Sequence, residues 1–398
     1  MKHAVVALFV AAACSGAPFT PPPSPPRPTE DAPALDALRA AQFPQAIELA
    51  HAQLALAPRD AEAAAIHALA AYVQAAQNAY TELDVRHSFL YFDKAFTPEG
   101  QPAVIALASQ LESIDRDLEV VAADPRFALE LCFSCWTYDW NHDGTIDRRD
   151  QQLLQIEVDG SGTQLDEHDP RRTPTFRFDV GDALWARAMV SFQRAGLELL
   201  LAYRWSDANR VDDKTKQPVV IHLISADRVR HARELVLAGV ELSDASRRAY
   251  LAETDDDREW VPNPHQHSHP VPLEVDDRLY ATWSGVVGDV RDLMAGKRGL
   301  GLRELATLIS PELVKLAPDA YIDVGRMFTE PTDITLPVDA EGDDVASMTR
   351  WLRGVLGHGY ADYMQPSPLV GRLAAMRHDL ERGGETVEHK LRYLLWIN

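Results

Sequence analysis

Residues 139–150, reading DWNHDGTIDRRD, carry oxygen-bearing side chains at a spacing that dictates a chemistry. Asp139, Asn141 and Asp143 occupy alternate positions, Gly144 follows directly, and Asp147 and Asp150 complete the run. Alternate side chains of a tightly wound loop point at one centre, and a hard cation takes about six to eight oxygens at about 2.3–2.6 Å. Gly144 supplies the sharp turn at which a Cβ would clash. Thr145 would offer its backbone carbonyl, Asp147 would coordinate directly or through a water, and Asp150 would close the far side of the shell. Apolar Ile146 is expected to point away from the ion into the neighbouring core.

This order resembles an EF-hand loop, and with Leu153 and Leu154 following it is similar to the loops of bacterial extracellular calcium proteins, dockerins among them. The resemblance covers some thirty residues and implies Ca2+ as the cofactor, held by Asp139, Asn141, Asp143, Thr145, Asp147 and Asp150. It also implies a helix on each side of the loop. The apolar-rich run 126–138 (RFALELCFSCWTY) is the expected entering helix, and 148–156 is the exiting one. A dockerin carries two such loops, whereas residues 157–169 (EVDGSGTQLDEHD) lack the glycine and the apolar residue in register and read as a degenerate partner. The last loop position, usually Glu, is Asp150. Its side chain is one methylene shorter, so closure with both oxygens is harder and affinity weaker, which suits a calcium-rich compartment.

A second set of ligating residues lies in an acidic loop, 253–271. His265, His267 and His269 alternate within PHQHSHP, which in an extended segment would put the three rings on one side as a zinc or copper ligand set. That set supports an alternative function, a metal-dependent periplasmic enzyme. Cys132 and Cys135 form a lone CxxC, expected as two buried thiols or as a local disulfide contributing about 2 kcal/mol in the chain-entropy model. There is no GxSxG, no GxxxxGK[ST] and no full GxGxxG, Gly299-Leu-Gly301 being a fragment, so the sequence leans away from an enzyme.

The address is written at the N-terminus. Lys2 and His3 precede an apolar run, 4–13 (AVVALFVAAA), and Cys14 follows small residues directly. This resembles the signal peptide and lipobox of a bacterial lipoprotein, although Ala11 stands where Leu is usual. The resemblance implies a signal peptide over 1–13, lipidation of Cys14, membrane attachment through that anchor, and residence in the periplasm or outer membrane. The chain has 60 acidic against 39 basic residues and a formal net charge of −21, which repels nucleic acid and anionic membrane surfaces and attracts divalent cations.

The remaining segments must position these groups. A proline-rich tether over 14–32 leads to an alanine-rich helical region, 33–125. Within it FPQAIELAHAQLALAPRDAEA resembles a tetratricopeptide unit through Phe43, Ala46, Leu54 and Pro58, which implies an interaction scaffold with a protein partner as a further alternative. The EF-hand-like region, 126–170, follows, and then an α-helical domain, 171–398. There 175–180 is expected as a short strand, Asp182 as the cap of a long helix to about residue 203, and helices over 226–242, 276–295, 302–316, 345–356, 368–382 and 386–396. At 46% hydrophobic the chain can bury a large core, and the expected fold class is mostly α.

Overall fold

The computed structural model describes residues 32–83, 93–140, 143–147, 150, 155–159, 163–210, 218–271, 275–336 and 344–381. The expected signal peptide, Cys14, Asn141, Leu153, Leu154 and the helix over 386–396 lie outside them. Among the described residues the chain is mostly α-helical with a few short strands, as its periodicity predicts.

The alanine-rich region folds as α1 (Pro33–Arg39), α2 (Phe43–Leu56) and α3 (Ala61–Glu82). Proline in the first turn starts α1 and α2, and the Asp60 carboxylate caps α3 by accepting the Glu62 and Ala63 amides at 3.1 Å. The tetratricopeptide-like positions divide: Phe43 and Ala46 are fully buried, Leu54 is half-buried and Pro58 is exposed. Ala50 is also fully buried, so the hairpin closes on a methyl group. α4 (Gln101–Ala122) packs on α3.

The segment expected to enter the loop as a helix, 126–138, is not helical. Leu129–Leu131 is strand β1, and a 3-10 turn, Phe133–Cys135, follows it. The reason is a two-residue period. Phe127, Leu129, Leu131 and Phe133 are all buried, so their alternation places one face of an extended chain in the core. β1 pairs antiparallel with β2 (Phe176–Phe178), setting Leu129 against Phe178 and Leu131 against Phe176. Cys132 and Cys135 are joined as a disulfide across Cα atoms 5.3 Å apart, which closes the turn.

β2 runs directly into α5 (Val180–Ala202). Its cap is Asp179 rather than Asp182, which sits in the first turn and completes a capping box by accepting the Asp179 amide at 2.9 Å. α5 lies along α6 (Ala226–Ala252), the longest helix described. α6 runs past the expected residue 242 because Ser243, Ser246, Arg247 and Tyr250 continue its buried face. The two helices approach closely at glycine. A Cβ on Gly181 would stand 2.6 Å from the Tyr250 ring, and one on Gly239 would stand 2.7 Å from the Phe192 ring.

Beyond α6 come α7 (Asp277–Met294), α8 (Leu302–Ile309), α9 (Pro311–Leu316), α10 (Val324–Thr329), α11 (Val345–Leu356) and α12 (Leu369–Glu381). The single helix expected over 302–316 is two, because Pro311 has no amide to continue α8. Extended Ser310 ends α8 and caps α9 through its hydroxyl. Short strands stitch this half together: β3 (Val219–Ile221) pairs with β6 (Ile334–Leu336), and β5 (Tyr321–Ile322) lies between β4 (Leu300–Gly301) and β7 (Tyr360–Ala361).

Two cores result. One gathers α1 to α3, the aromatic residues of 127–140, both strands β1 and β2, the start of α5, the end of α6 and the 260–271 loop. The other gathers the far ends of α5 and α6 with α7, α10 and α12. No described helix is long and apolar enough to cross a membrane.

Candidate metal centres

The 139–150 loop is fastened by its two end carboxylates. Asp139 accepts the Asp143 amide at 3.2 Å through one oxygen and the Gly144 amide at 2.8 Å through the other. Asp150, 5% exposed, accepts the Trp140 amide at 3.1 Å and the Asp147 amide at 2.9 Å. Gly144 turns the chain at φ +84°, a conformation that only glycine adopts cheaply, and the Asp143 carboxylate accepts the Thr145 amide at 2.9 Å just beyond it. Each bonded oxygen keeps a further lone pair, so these hydrogen bonds hold the carboxylates without exhausting them as ligands.

The loop is held on its entering side by an aromatic and polar clamp instead of a helix. Phe43 of α2 meets the Trp136 and Tyr138 rings edge-on, with centroids 5.0 and 4.7 Å away. Gln77 of α3 donates to the Asp139 carbonyl at 2.7 Å and accepts from the Tyr138 hydroxyl. Burial and the charge of Asp139 push the Tyr138 phenol upward. Two expectations are corrected. Ile146 is 45% exposed and does not enter a core. The carboxylates of Asp139, Asp143, Asp147 and Asp150 do not close to within 4.8 Å as one group, because each end carboxylate is turned onto two loop amides. In the degenerate stretch, Val158 bridges to Gln164 and the Asp159 carboxylate accepts the Thr163 amide at 3.0 Å.

The three histidines of the 253–271 loop do not form a ligand set. His265 and His267 are exposed, whereas the His269 ring turns back to the Val271 carbonyl at 2.9 Å, and burial pushes its pKa down. The loop is too tightly hydrogen-bonded to be the extended segment that alternation assumes. Asn263 donates to the Tyr250 and Glu253 carbonyls, and Asp256 accepts the amides of both His267 and Ser268 at 2.7 Å.

The same loop builds a carboxylate cluster for which the sequence carries no local signal. Asp179, Glu253 and Glu259 each place an oxygen within 4.8 Å of the others. β2 is the spine of this arrangement. It pairs with β1 on one edge and bridges to Glu259 on the other, the Arg177 amide donating to the Arg258 carbonyl at 3.2 Å, so Asp179 at its end is delivered beside Glu259. Arg258 adopts φ +58°, an uncommon conformation for a side-chain-bearing residue, at the bend that turns Glu259 inward. Glu253 closes the C-terminus of α6, and Gln266, lying between the histidines, donates to its carboxylate at 3.3 Å. Asp182 stands behind, fixed by the Tyr250 hydroxyl at 2.8 Å.

One guanidinium faces this charge, and it is shared: Arg177 stands 3.2 Å from Asp255 and 4.0 Å from Glu259. Burial, then mutual repulsion, pushes the pKa of Glu259 up to about 8 and that of Asp182 well above the usual range. Burial also raises Asp179 and Glu253, which share a hydrogen bond.

A carboxyl raised on folding binds its proton more tightly in the native state, so its contribution to stability is lost as pH climbs through the folded pKa. Metal-stripped protein in chelator is therefore expected to lose stability as pH rises from the ordinary Glu range near 4.5 to about 8, most visibly above about pH 6.5, at up to about 1.4 kcal/mol per pH unit for the Glu259 proton. His269, depressed by burial, acts in the opposite sense at lower pH. Thermal melts of wild type and Glu259→Gln across that window check this, the variant giving the flatter profile.

Fold and geometry together define a mostly α-helical protein with an acidic loop at 139–150 and a carboxylate cluster where α5 and α6 meet. Comparison with family models, curated proteins and solved structures returned no match.

Proposed function

We propose that this chain is an exported calcium-binding protein in which the ion, held by Asp139, Asn141, Asp143, Thr145, Asp147 and Asp150, stiffens the junction between the N-terminal helices and the helical domain that follows. The observation that carries the reading is the double fastening of the loop. Asp139 and Asp150, at its two ends, each bind two loop amides, and Gly144 makes the turn between them. An oxygen-only donor set selects a hard cation over zinc or copper. A structural role suits the surroundings better than a switch, because the loop is tied to α2 and α3 through Phe43 and Gln77. Export, a signal peptide over 1–13 and a lipid anchor on Cys14 in the cell envelope complete the proposal, on the N-terminal pattern alone.

Calcium that binds the native state only stabilises it by RT ln(1 + [L]/Kd), about 2.7 kcal/mol at a hundredfold excess over Kd. A calorimetric scan is expected to show a midpoint several degrees higher in calcium than in chelator, with the difference reduced by Asp143→Ala. Equal midpoints in the two conditions would remove the proposal.

A further inference from the structure

We propose that Asp179, Glu253 and Glu259 form a second cation site, independent of the 139–150 loop, that takes a hard divalent cation between the start of α5 and the end of α6. The first support is geometric. Oxygens on one ion at metal–oxygen distances of about 2.0–2.6 Å lie at most about 4.0–5.2 Å apart, and the three side chains already place an oxygen each within 4.8 Å of the others. The second is an orphaned atom. Glu259 is only 2% exposed, and its Oε1 accepts no hydrogen bond. The Arg177 guanidinium stands 4.0 Å away and is engaged with Asp255 at 3.2 Å. A buried carboxylate oxygen with no hydrogen-bond donor and only a shared guanidinium at 4.0 Å is incompletely compensated, and a cation is a ligand that would compensate it.

The donor set decides the class of ion. Three carboxylates with no sulfur or imidazole favour calcium, magnesium or manganese over zinc or copper. The surrounding groups hold the ligands as a metal site needs. Gln266 orients Glu253, the Gly181 amide holds Asp179 at 2.6 Å, and Asp182, pinned by Tyr250, binds the Asp179 amide. Asp179 and Glu253 are partly exposed while Glu259 is buried, so an ion would arrive from their side and end against Glu259.

Equilibrium dialysis of the metal-stripped full chain against manganese(II) alone, and separately against calcium alone, tests this as ions retained per chain. Asp143→Ala disables the loop and is expected to leave one ion bound. Adding Glu259→Gln or Glu253→Gln to that background is expected to weaken the remaining site at least tenfold. Both substitutions keep side-chain shape and remove a charge that burial disfavours, so the chain should still fold, and circular dichroism checks that it does. An Asp143→Ala chain that is folded but retains no ion overturns the proposal, as does retention that neither glutamine variant changes. Should the loop reading fail instead, Asp143→Ala would alter nothing in the wild-type background while Glu259→Gln still removed an ion.

Discussion

Phe43→Ala is expected to destabilise the protein by about 3–5 kcal/mol, the range for deleting a fully buried aromatic side chain. Phe43 is fully buried at the first turn of α2 and packs edge-on against Trp136 and Tyr138. Each aromatic pair adds about 0.5–1.5 kcal/mol beyond burial alone. The ring therefore joins the N-terminal helices to the segment that enters the acidic loop. Urea unfolding should show a lower midpoint with one transition retained, because α1 to α3 share a core with β1, β2 and the 260–271 loop. A loss below about 1.5 kcal/mol, or a transition that splits in two, would mean that the N-terminal helices form a separable module.

Asp150→Ala is expected to cost about 2–4 kcal/mol even in chelator, since it strands the Trp140 and Asp147 amides, each worth about 1–3 kcal/mol when left without a partner. Those amides lie in half-buried surroundings, which sets the figure below the sum of the maxima. Asp150→Asn should lose less, because its carbonyl oxygen can still accept one of the two. Chelator matters here, for it separates the carboxylate's work on the backbone from any contribution to an ion. An unchanged midpoint for the chelated Asp150→Ala chain would show that the loop is not organised by this residue.

Much of the helical framework was legible because its punctuation is local. Asp276 and Asp344 cap α7 and α11 where the pattern placed their starts, and Pro311 splits a helix by a rule that could have been applied in advance. The segment 126–138 misled because a short apolar run fits either period. Weighing Phe127, Leu129, Leu131 and Phe133 as alternation would have recovered β1. The loop donors were readable as neighbours in one stretch, whereas the outward turn of Ile146 depends on tertiary packing. The cluster of Asp179, Glu253 and Glu259 had no spacing to betray it. It exists because α5 and α6 approach at Gly181 and Tyr250 and because β2 bridges to Glu259, contacts that local sequence does not encode. Within PHQHSHP it is Gln266, between the histidines, that makes the contact to Glu253.

The central claim is a cation in the 139–150 loop, and terbium luminescence reads it most directly. Tyr138 and Trp140 flank Asp139, with ring centroids 5.3 Å apart, close enough to sensitise a lanthanide bound there. Titration of metal-stripped protein with terbium, excited through these rings, is expected to give saturable emission that calcium competes away and that Asp143→Ala largely removes. Absence of sensitised emission, or emission that Asp143→Ala leaves unchanged, would contradict it.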